Sequence, residues 1–436
     1  MGTSRSTPNF PMTPPDAPAR SPWTWIPTLY FGQGIPYVVV MTLSVVMYKN
    51  LGVSNTDIAL YTSWLYLPWV IKPLWSPLVD LFRTKRFWIV ALQIVIGGAL
   101  ASVALTLPGP AFFQASLAVF WLMAFGSATH DIAADGFYLH ALPTHRQAAF
   151  VGVRSTFYRL ATLSGQGGLV WLAGDLSERL GGFAAAWAAV FGILAVFFVV
   201  LGLYHYFALP KPVTDGPVPR TGALWADFAT VFAAFFRKPG IGAALAFFLL
   251  YRFAESQALK LVTPFLLDGR AEGGLGLTTK QVGLVYGTVG VAALTIGGIL
   301  GGWIISVYGL KRMLWPMILA MNLPNVVFVY LAIALPTDPW LISGLLAVEQ
   351  LGYGFGFAAY LMFMIMFARG PNQTAHYAIC TGFMALGMML PGMGAGWLQD
   401  QLGYPKFFFW VLLATIPSFA ATALIKIEPG FGKKAE

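Results

Sequence analysis

The chain has 436 residues, of which 58% are hydrophobic and only 10% are charged, and its mean hydropathy is +0.71. Soluble domains carry about 25% charged residues, so this composition excludes a soluble globular protein. The apolar runs are long and unbroken, which excludes a β-barrel built from short alternating strands. The formal net charge of +9 comes from bases in short loops between these runs, so it does not indicate nucleic-acid binding. The single cysteine, Cys380, excludes an intramolecular disulfide.

The chain opens with residues 1–22, which are rich in Pro, Ser and Thr and which we predict to be a disordered cytoplasmic tail. Twelve apolar segments follow, each with about the twenty residues that a helix needs to cross a bilayer. They are predicted at 24–47, 55–80, 87–107, 111–140, 147–173, 183–208, 239–266, 277–305, 312–335, 339–368, 374–399 and 405–426. A polar linker at 209–238 separates the sixth segment from the seventh. Its end, 223–236, is predicted to form an amphipathic helix in the membrane interface.

These segments divide into an N-terminal half at 23–208 and a C-terminal half at 239–427, with a cytoplasmic tail at 428–436. The loops on the side of the termini hold 16 Lys and Arg residues, and the loops and span mouths on the other side hold 5. Because basic residues remain on the cytoplasmic side of a membrane, we predict that both termini lie in the cytoplasm.

A loop pattern occurs twice, once in each half. Positions 76, 80, 83, 85 and 86 correspond to positions 302, 306, 309, 311 and 312 with one constant offset of 226 residues. The repeat predicts two pseudo-symmetric six-helix halves that pack about an axis along the membrane normal. A substrate site is then expected between the halves, near the middle of the membrane.

The repeated loop resembles the Gly-x-x-x-Asp-x-x-Gly-x-basic-basic loop of the major facilitator superfamily. The first copy keeps the acid, Asp80, and the basic pair, Lys85 and Arg86, but has Ser76 and Arg83 at the glycine positions. The resemblance implies the all-α major facilitator fold with twelve transmembrane helices. It also implies that Asp80, with Arg83, Lys85 and Arg86, forms a cytoplasmic gate. A plain basic loop that only sets the orientation is the alternative interpretation.

A narrower resemblance covers most of the segments in order. Five stretches together resemble the AmpG-type muropeptide permeases: Phe31–Pro36, Lys72–Asp80, Ala128–Asp135, Tyr158–Leu160 and Glu349–Gly356. The resemblance implies proton-coupled import of anhydro-muropeptides, or related peptidoglycan fragments, across a bacterial inner membrane by alternating access. The alternatives are a proton-coupled exporter of amphiphilic compounds, an importer of another sugar or anionic solute, and a membrane enzyme or sensor.

Two carboxylates interrupt the fourth apolar segment. Asp131 and Asp135 are four residues apart and therefore share one helix face. An ionisable group inside a bilayer costs at least ~2.5 kcal/mol and indicates a functional site. We predict that Asp131 and Asp135, with Glu255 and Glu349, carry protons. The alternative is that both aspartates pair with Arg or Lys and hold helices together.

At 1.5 Å per residue, Arg159, Arg252, Glu255 and Glu349 are predicted near the middle of the membrane. The planar guanidinium of arginine suits a bidentate contact with a carboxylate, so Arg159 and Arg252 are predicted to bind the anionic groups of a substrate. The remaining substrate-binding candidates are polar or basic residues in the same segments, namely Lys72, Tyr158, Gln257, Gln350 and Tyr353.

Glycines suggest where the helices bend. Gly352, Gly354 and Gly356 follow Glu349 in the tenth segment and are predicted to weaken it, as Pro391 is in the eleventh. Transporter helices that line a site are often interrupted in this way.

The sequence holds no Gly-x-Ser-x-Gly elbow, no His-Glu-x-x-His motif and no Walker A loop. We therefore predict a transporter and not an enzyme, with no cofactor, metal or catalytic residue. Its expected partners are a small-molecule substrate, protons and the lipid bilayer, and we expect a monomer.

Overall fold

The computed structural model describes residues 20–142, 144–212, 215–216, 224–370 and 372–433. The side chains at 77–78, 80–81, 144–149, 151–152, 224–228 and 374 also lie outside the description. The regular elements of the described part are all helices.

Six membrane-crossing segments, called spans 1 to 6, form the N-terminal half. In chain order they are Pro22–Asn50, Asn55–Trp64 with Leu67–Leu81, Lys85–Thr106, Phe112–Ala141, Thr144–Leu163 continued by Ser164–Leu169 and Val170–Leu180, and Phe183–Ala208. Short π-helical turns occur within span 1, at Val39–Leu43, and within span 5, at Ser164–Leu169.

Spans 7 to 12 form the C-terminal half. They are Ile241–Leu250 with Phe253–Leu267, Thr279–Tyr308, Leu310–Ala334, Pro339–Ala368, Gln373–Met393 continued to residue 402, and residues 404–424. The boundary between spans 11 and 12 is Gly403, whose φ of 70° and ψ of 163° break a helix that otherwise runs through this point. A further π-helical turn, Gly283–Gly290, lies within span 8.

Eight helices in the described part are long and apolar enough to cross a membrane, and span 7 becomes a ninth when its bent partner is included. Spans 2, 5 and 11 complete the twelve. They differ from the others because span 2 is broken at 65–66 and span 11 at 394, and because span 5 carries Arg154 and Arg159.

The halves meet along two seams. Spans 2 and 11 pack along one seam, and spans 5 and 8 pack along the other. In the second seam, the π-helical turn of span 5 faces the π-helical turn of span 8. Small residues allow this close approach, since a Cβ at Gly287 would overlap the carbonyl oxygen of Gln166, and a Cβ at Gly396 would overlap that of Asn55. We call the end of the bundle that holds residues 50, 55, 268 and 280 the far end, and the opposite end, which holds both termini, the terminal end.

The repeated loop adopts related conformations in the two halves. Arg83 has a φ of 63°, and Gly309, its counterpart, has a φ of 79°. The resembling family has glycine at both positions because this region of φ disfavours residues with a Cβ. The positive φ thus recurs at both copies of this loop position, although one copy has arginine and the other has glycine.

Arg83 gives a first testable prediction. A residue with a Cβ in the left-handed region costs about 1–2 kcal/mol, so Arg83→Gly is expected to unfold at a higher temperature than Arg83→Ala. Both variants remove the guanidinium that lies over the Phe87 ring, so their difference isolates the backbone. Thermal unfolding of the two variants in detergent tests this, and equal melting temperatures would show that no strain is relieved.

At the terminal end, the chain segment that follows each half bonds back to that half. Asp215, in the linker, accepts hydrogen bonds from the backbone N–H groups of Lys85 at 2.7 Å and Arg86 at 3.1 Å, at the start of span 3. The Phe431 carbonyl, in the C-terminal tail, accepts from the backbone N–H of Leu310 at 2.9 Å, at the start of span 9. The segment after each half therefore forms hydrogen bonds with the backbone of the repeated loop of that half.

The linker ends in a helix, Leu224–Phe236, and its described part lies at 91° to span 7. Phe235 on this helix is fully buried, and Lys238 donates to the Phe367 carbonyl at 2.6 Å. The linker helix is therefore packed across the terminal end of the C-terminal half.

The glycines of span 10 do not break it, because Pro339–Ala368 is one continuous helix. The glycines serve close packing with neighbouring spans instead. A Cβ at Gly354 would overlap the Leu294 carbonyl of span 8, and one at Gly352 would overlap the Ala320 carbonyl of span 9. The break falls in span 7, between Leu250 and Phe253.

Candidate functional site

The break in span 7 positions the first charged pair. Arg252, with φ −108° and ψ 20°, precedes the second helical segment of the span, and Glu255 lies in the first turn of that segment. A carboxylate is stabilised at a helix N-terminus. Nε and Nη2 of Arg252 donate to the two carboxylate oxygens of Glu255 at 2.9 and 2.8 Å. Both residues are buried, and Nη2 also donates to the Tyr353 hydroxyl at 2.6 Å.

Glu349 of span 10 is a second buried carboxylate of the C-terminal half. It is 4% exposed, and it accepts a hydrogen bond from Nε2 of Gln350 at 2.9 Å. No lysine or arginine of the described chain lies within 4.0 Å of it. Glu349 is close enough to Glu255 for the two carboxylates to interact electrostatically. The C-terminal half therefore holds two acids and one guanidinium at one level.

The N-terminal half contributes Asp131, on span 4. Its carboxylate accepts from the indole N–H of Trp69 at 3.1 Å, and Nζ of Lys72 lies 3.9 Å away. Both partners belong to span 2, so Asp131 links spans 2 and 4.

Asp135, one turn further along span 4, has a separate cation. Nη2 of Arg154 lies 2.7 Å from its carboxylate, and the Tyr30 hydroxyl donates to it at 3.3 Å. The guanidinium of Arg154 also lies over the rings of Tyr30 and Tyr138, at 4.5 and 5.1 Å. The two aspartates thus each have their own cation, as the alternative interpretation of this pair required, and Asp135 remains 46% exposed.

Arg159 of span 5 has no carboxylate partner among the described residues. No acid of the described residues lies within 4.0 Å of it, and it is half-buried. Nη2 lies 3.6 Å from the position that a Cβ at Gly298 of span 8 would take. Arg159 therefore points across the seam toward the C-terminal half. Tyr158, its neighbour, is close enough to Asp131 and Asp135 to interact with them electrostatically.

Tyr37 of span 1 joins the two sets of charges. It is close enough to interact electrostatically with Asp131 of its own half and with both Arg252 and Glu255 of the other. Its ring packs edge-on against Trp69 at 5.3 Å. The structure therefore brings predicted residues of both halves together. We call them the central polar cluster, whose members are Lys72, Asp131, Tyr158, Arg159, Arg252, Glu255, Glu349, Gln350 and Tyr353.

Gln257 is placed differently from the other predicted substrate ligands. Its Oε1 accepts from the indole N–H of Trp410 at 2.9 Å, and its Nε2 donates to the Phe253 carbonyl at 3.1 Å. Its amide is thus used inside the C-terminal half, between spans 7 and 12.

The predicted gate residues lie at the terminal end. The side chain of Asp80 is outside the described residues, so its bond to basic residues stays a prediction. Arg83 is exposed, whereas Lys85 is buried with its stem against Gly136. Arg86 donates to the Tyr206 carbonyl, at the end of span 6.

The far end is closed by a network that crosses between the halves. Asp268, at the end of span 7, lies 2.5 Å from Nζ of Lys49 in span 1. It also accepts from Asn55 of span 2 at 3.3 Å and from the Tyr404 hydroxyl at 2.5 Å. Asn55 in turn donates to Gln399 of span 11 at 2.8 Å.

A second network closes the other seam at the same end. Lys280 of span 8 lies 2.9 Å from Asp175 and 2.8 Å from Glu178 of span 5. Asn50 donates to the Thr279 hydroxyl at 2.9 Å. We call these two networks the far-end seal. Among the interactions that the described residues make with one another, all ion pairs and hydrogen bonds between the halves lie toward the far end.

Comparison with known proteins places this architecture. The sequence matches the Major Facilitator Superfamily over residues 28–390. The chain belongs to that superfamily. It is 28% identical over 399 residues to the anhydromuropeptide permease of Escherichia coli K12, and the match covers 89% of this chain and 76% of the permease. It is also 22% identical to transporter AmpG 4 of Rickettsia conorii, over 88% of this chain and 92% of the relative.

Solved structures of facilitators show the same fold. A D-xylose–proton symporter superimposes with a TM-score of 0.70 at 14% identity, covering 95% of this chain and 99% of the symporter. An inward-facing bacterial homologue of the lysosomal transporter Spinster gives 0.68 at 15% identity, covering 94% and 97%. This facilitator is thus a multi-pass membrane transporter with relatives of the AmpG type, as predicted.

The far-end seal of this facilitator is the part of the site that no sequence pattern predicted. From the sequence, Lys49 and Lys280 are only two of the five basic residues predicted on the side of the membrane away from the termini. The sequence gives a weak indication of this network, because Asn55 and Asp268 are polar residues at the ends of apolar spans. Such residues need hydrogen-bond partners from another span. Which partners they find depends on how the halves pack.

Proposed function

We propose that this facilitator imports anhydro-muropeptides, or related peptidoglycan fragments, with protons across a bacterial inner membrane by alternating access. The substrate class is supported by the similarity to the E. coli anhydromuropeptide permease over 89% of the chain. The observation that carries the coupling is the buried bidentate pair of Arg252 and Glu255. It links a proton-binding group directly to an anion-binding group.

Coupling follows from competition for one guanidinium. While Glu255 is ionised, it occupies the Nε and Nη2 donors of Arg252 and neutralises the charge of the guanidinium. A proton on Glu255 removes that charge, and Arg252 is then free to bind a substrate carboxylate. A substrate anion and a proton therefore enter together, and neither charge has to cross the low-dielectric region alone.

The other members of the central polar cluster take complementary roles. Arg159, which has no carboxylate among the described residues, is the first anion site on the N-terminal half. Glu349, which has no described lysine or arginine within 4.0 Å, is a second proton carrier, close enough to Glu255 to interact with it. Asp131 carries a proton at the level of Lys72.

The proposed orientation places both termini in the cytoplasm, which the distribution of basic residues supports. The far-end seal then faces the periplasm, and the described conformation faces inward. Import requires the seal to open, the substrate to reach the cluster, and the seal to close again before release.

Uptake into proteoliposomes tests the function. A panel of labelled anhydro-muropeptides, free sugars and free peptides should be offered under an imposed pH gradient, acid outside. Accumulation of anhydro-muropeptides above the sugars and peptides is the expected result. Accumulation of another solute alone would assign a different substrate, and efflux of amphiphilic dyes without muropeptide uptake would favour an exporter.

Asp131→Asn gives a second prediction. The amide keeps the hydrogen bond from Trp69 but neither binds a proton nor pairs with Lys72. We expect pH-driven uptake to fall by about 100-fold, within the range for removal of a positioned proton-transfer group. Initial uptake rates with and without the pH gradient test this. Asp57→Asn, on an acid in the first turn of span 2 at the far end, is the control, and near-normal gradient-driven uptake by Asp131→Asn would reject the proton role.

A further inference from the structure

A buried lysine lies between the central polar cluster and the far-end seal. Lys260, in the second segment of span 7, is 5% exposed. Its Nζ donates to the Thr62 hydroxyl of span 2 at 2.9 Å and lies 5.2 Å from the centre of the Tyr66 ring. A cation of the C-terminal half is therefore held by neutral groups of the N-terminal half.

Within the part of the chain that the structure describes, Lys260 has no carboxylate partner. No acid of the described residues lies within 4.0 Å of its Nζ, and Glu255, the acid on the same helical segment, is held by Arg252. Burying a cation without a counter-ion is costly. A hydroxyl and an aromatic face offset only part of that cost, so the arrangement lacks a negative charge.

One hydroxyl group next to the Thr62 that holds Lys260 has no hydrogen-bond partner among the described residues. Thr62 gives its own hydroxyl proton to the Ile58 carbonyl at 2.6 Å. Next to it, Ser63 is fully buried, and its hydroxyl has no hydrogen-bond partner. Ser63 and Lys260 both border Gly392 of span 11, since a Cβ there would lie 2.9 Å from Ser63 Oγ and 3.4 Å from Lys260 Cγ. A buried hydroxyl without a partner is destabilising.

We propose that Lys260 and Ser63 form a carboxylate-binding site of the transported substrate, which is occupied when the halves part at the far end. This rests on the proposed function, to which it adds a second carboxylate-binding position beside the one at Arg252. A carboxylate supplies both things that are missing, a negative charge for Lys260 and an acceptor for the Ser63 hydroxyl. In the substrate-free, closed state, Lys260 is held instead by Thr62 and Tyr66.

The site also couples binding to movement. Thr62, Ser63 and Tyr66 belong to span 2 of one half, and Lys260 belongs to span 7 of the other. A carboxylate between them replaces a direct contact between the halves with a contact through the substrate. The empty transporter and the loaded transporter can therefore both close, each with Lys260 bound.

Paired ligands that differ only in one charge test the site. Melting temperatures of the purified full chain should be measured against 1,6-anhydro-N-acetylmuramic acid and its carboxamide, and against a tripeptide and its C-terminal amide. The wild type is expected to bind each acid about tenfold or more tightly than its amide, as a charge-assisted hydrogen bond requires. Lys260→Met is expected to bind acid and amide within about twofold of each other, whereas Lys260→Arg keeps the preference.

Two further variants separate the site from general effects. Ser63→Ala should reduce the preference for acids, and Lys406→Met, on an exposed lysine of span 12, should leave it unchanged. A preference that survives Lys260→Met, or a wild type that binds acids and amides equally, would overturn the proposal. If the tripeptide pair behaves as expected but neither muramic compound binds, the muropeptide assignment fails while the carboxylate site stands.

Discussion

Gly287→Ala is expected to hold this transporter open at the far end and to abolish most of its uptake. The added Cβ would overlap the carbonyl oxygen of Gln166, which is backbone and cannot rotate away. The overlap is relieved only if spans 5 and 8 separate. Overpacking of this kind costs about 1–3 kcal/mol, which shifts the balance of two conformations by roughly five- to 150-fold. Since each transport cycle includes closure of the far end, uptake should fall by a similar factor.

Spin labels at positions 177 and 272, which border the cavity of about 440 Å³ between the halves at the far end, report the opening. The distance between the labels should shift to longer values in Gly287→Ala. Gly168→Ala is the matched control, because it adds the same methyl group to span 5 at a position with nothing within 4 Å. An unchanged distance distribution in Gly287→Ala would show that the seam absorbs the methyl group without opening.

Glu255→Gln is expected to uncouple uptake from the pH gradient. The amide has nearly the shape of a protonated carboxyl group, so it leaves Arg252 free for a substrate anion in every state. Since a proton and a substrate anion of one negative charge enter together, no net charge moves and the membrane potential does not drive uptake. A gradient of one pH unit supplies ~1.4 kcal/mol, which supports roughly tenfold accumulation. Without a proton on residue 255, accumulation should fall toward the ratio of passive equilibrium.

Exchange of substrate across the membrane should persist in Glu255→Gln, because exchange needs binding and rocking but no net proton movement. Accumulation and counterflow measured on the same proteoliposomes separate the two processes. Glu272→Gln, on an exposed loop residue at the far end, serves as control and should accumulate normally. Gradient-driven accumulation that survives in Glu255→Gln would remove Glu255 from the coupling mechanism.

Several helix bounds could be predicted from the sequence because the apolar runs are long and end at loops. Span 4 was expected at 111–140 and is Phe112–Ala141. Span 10 was expected at 339–368 and is Pro339–Ala368. The duplicated loop predicted the two halves, and its backbone conformation recurs at Arg83 and Gly309.

The break in span 7 could not be predicted in the same way. Tyr251 and Arg252 interrupt the helix without a proline or a glycine at either position. At this break, the side chain of Arg252 is held by its bidentate contact with Glu255 and by its hydrogen bond to Tyr353. The glycines of span 10 do not break their own helix. They allow the backbones of spans 8 and 9 to approach it closely.

From their depth alone, Arg159, Arg252, Glu255 and Glu349 could be expected at one level. Their pairing could not, because Arg159 and Arg252 have the same chemistry in the sequence and differ only in their neighbours. One is held by Glu255, and the other has no carboxylate among the described residues. In the proposed mechanism, this difference makes Arg252 depend on the protonation of Glu255, whereas Arg159 does not.

Substrate-driven proton movement tests the central claim most directly. Proteoliposomes with a pH-sensitive dye inside should be given an anhydro-muropeptide outside, with no gradient imposed. We predict that the lumen acidifies as the labelled substrate enters, and that both signals share one dependence on substrate concentration. Substrate entry without any change in internal pH would contradict proton-coupled import through the Arg252–Glu255 pair.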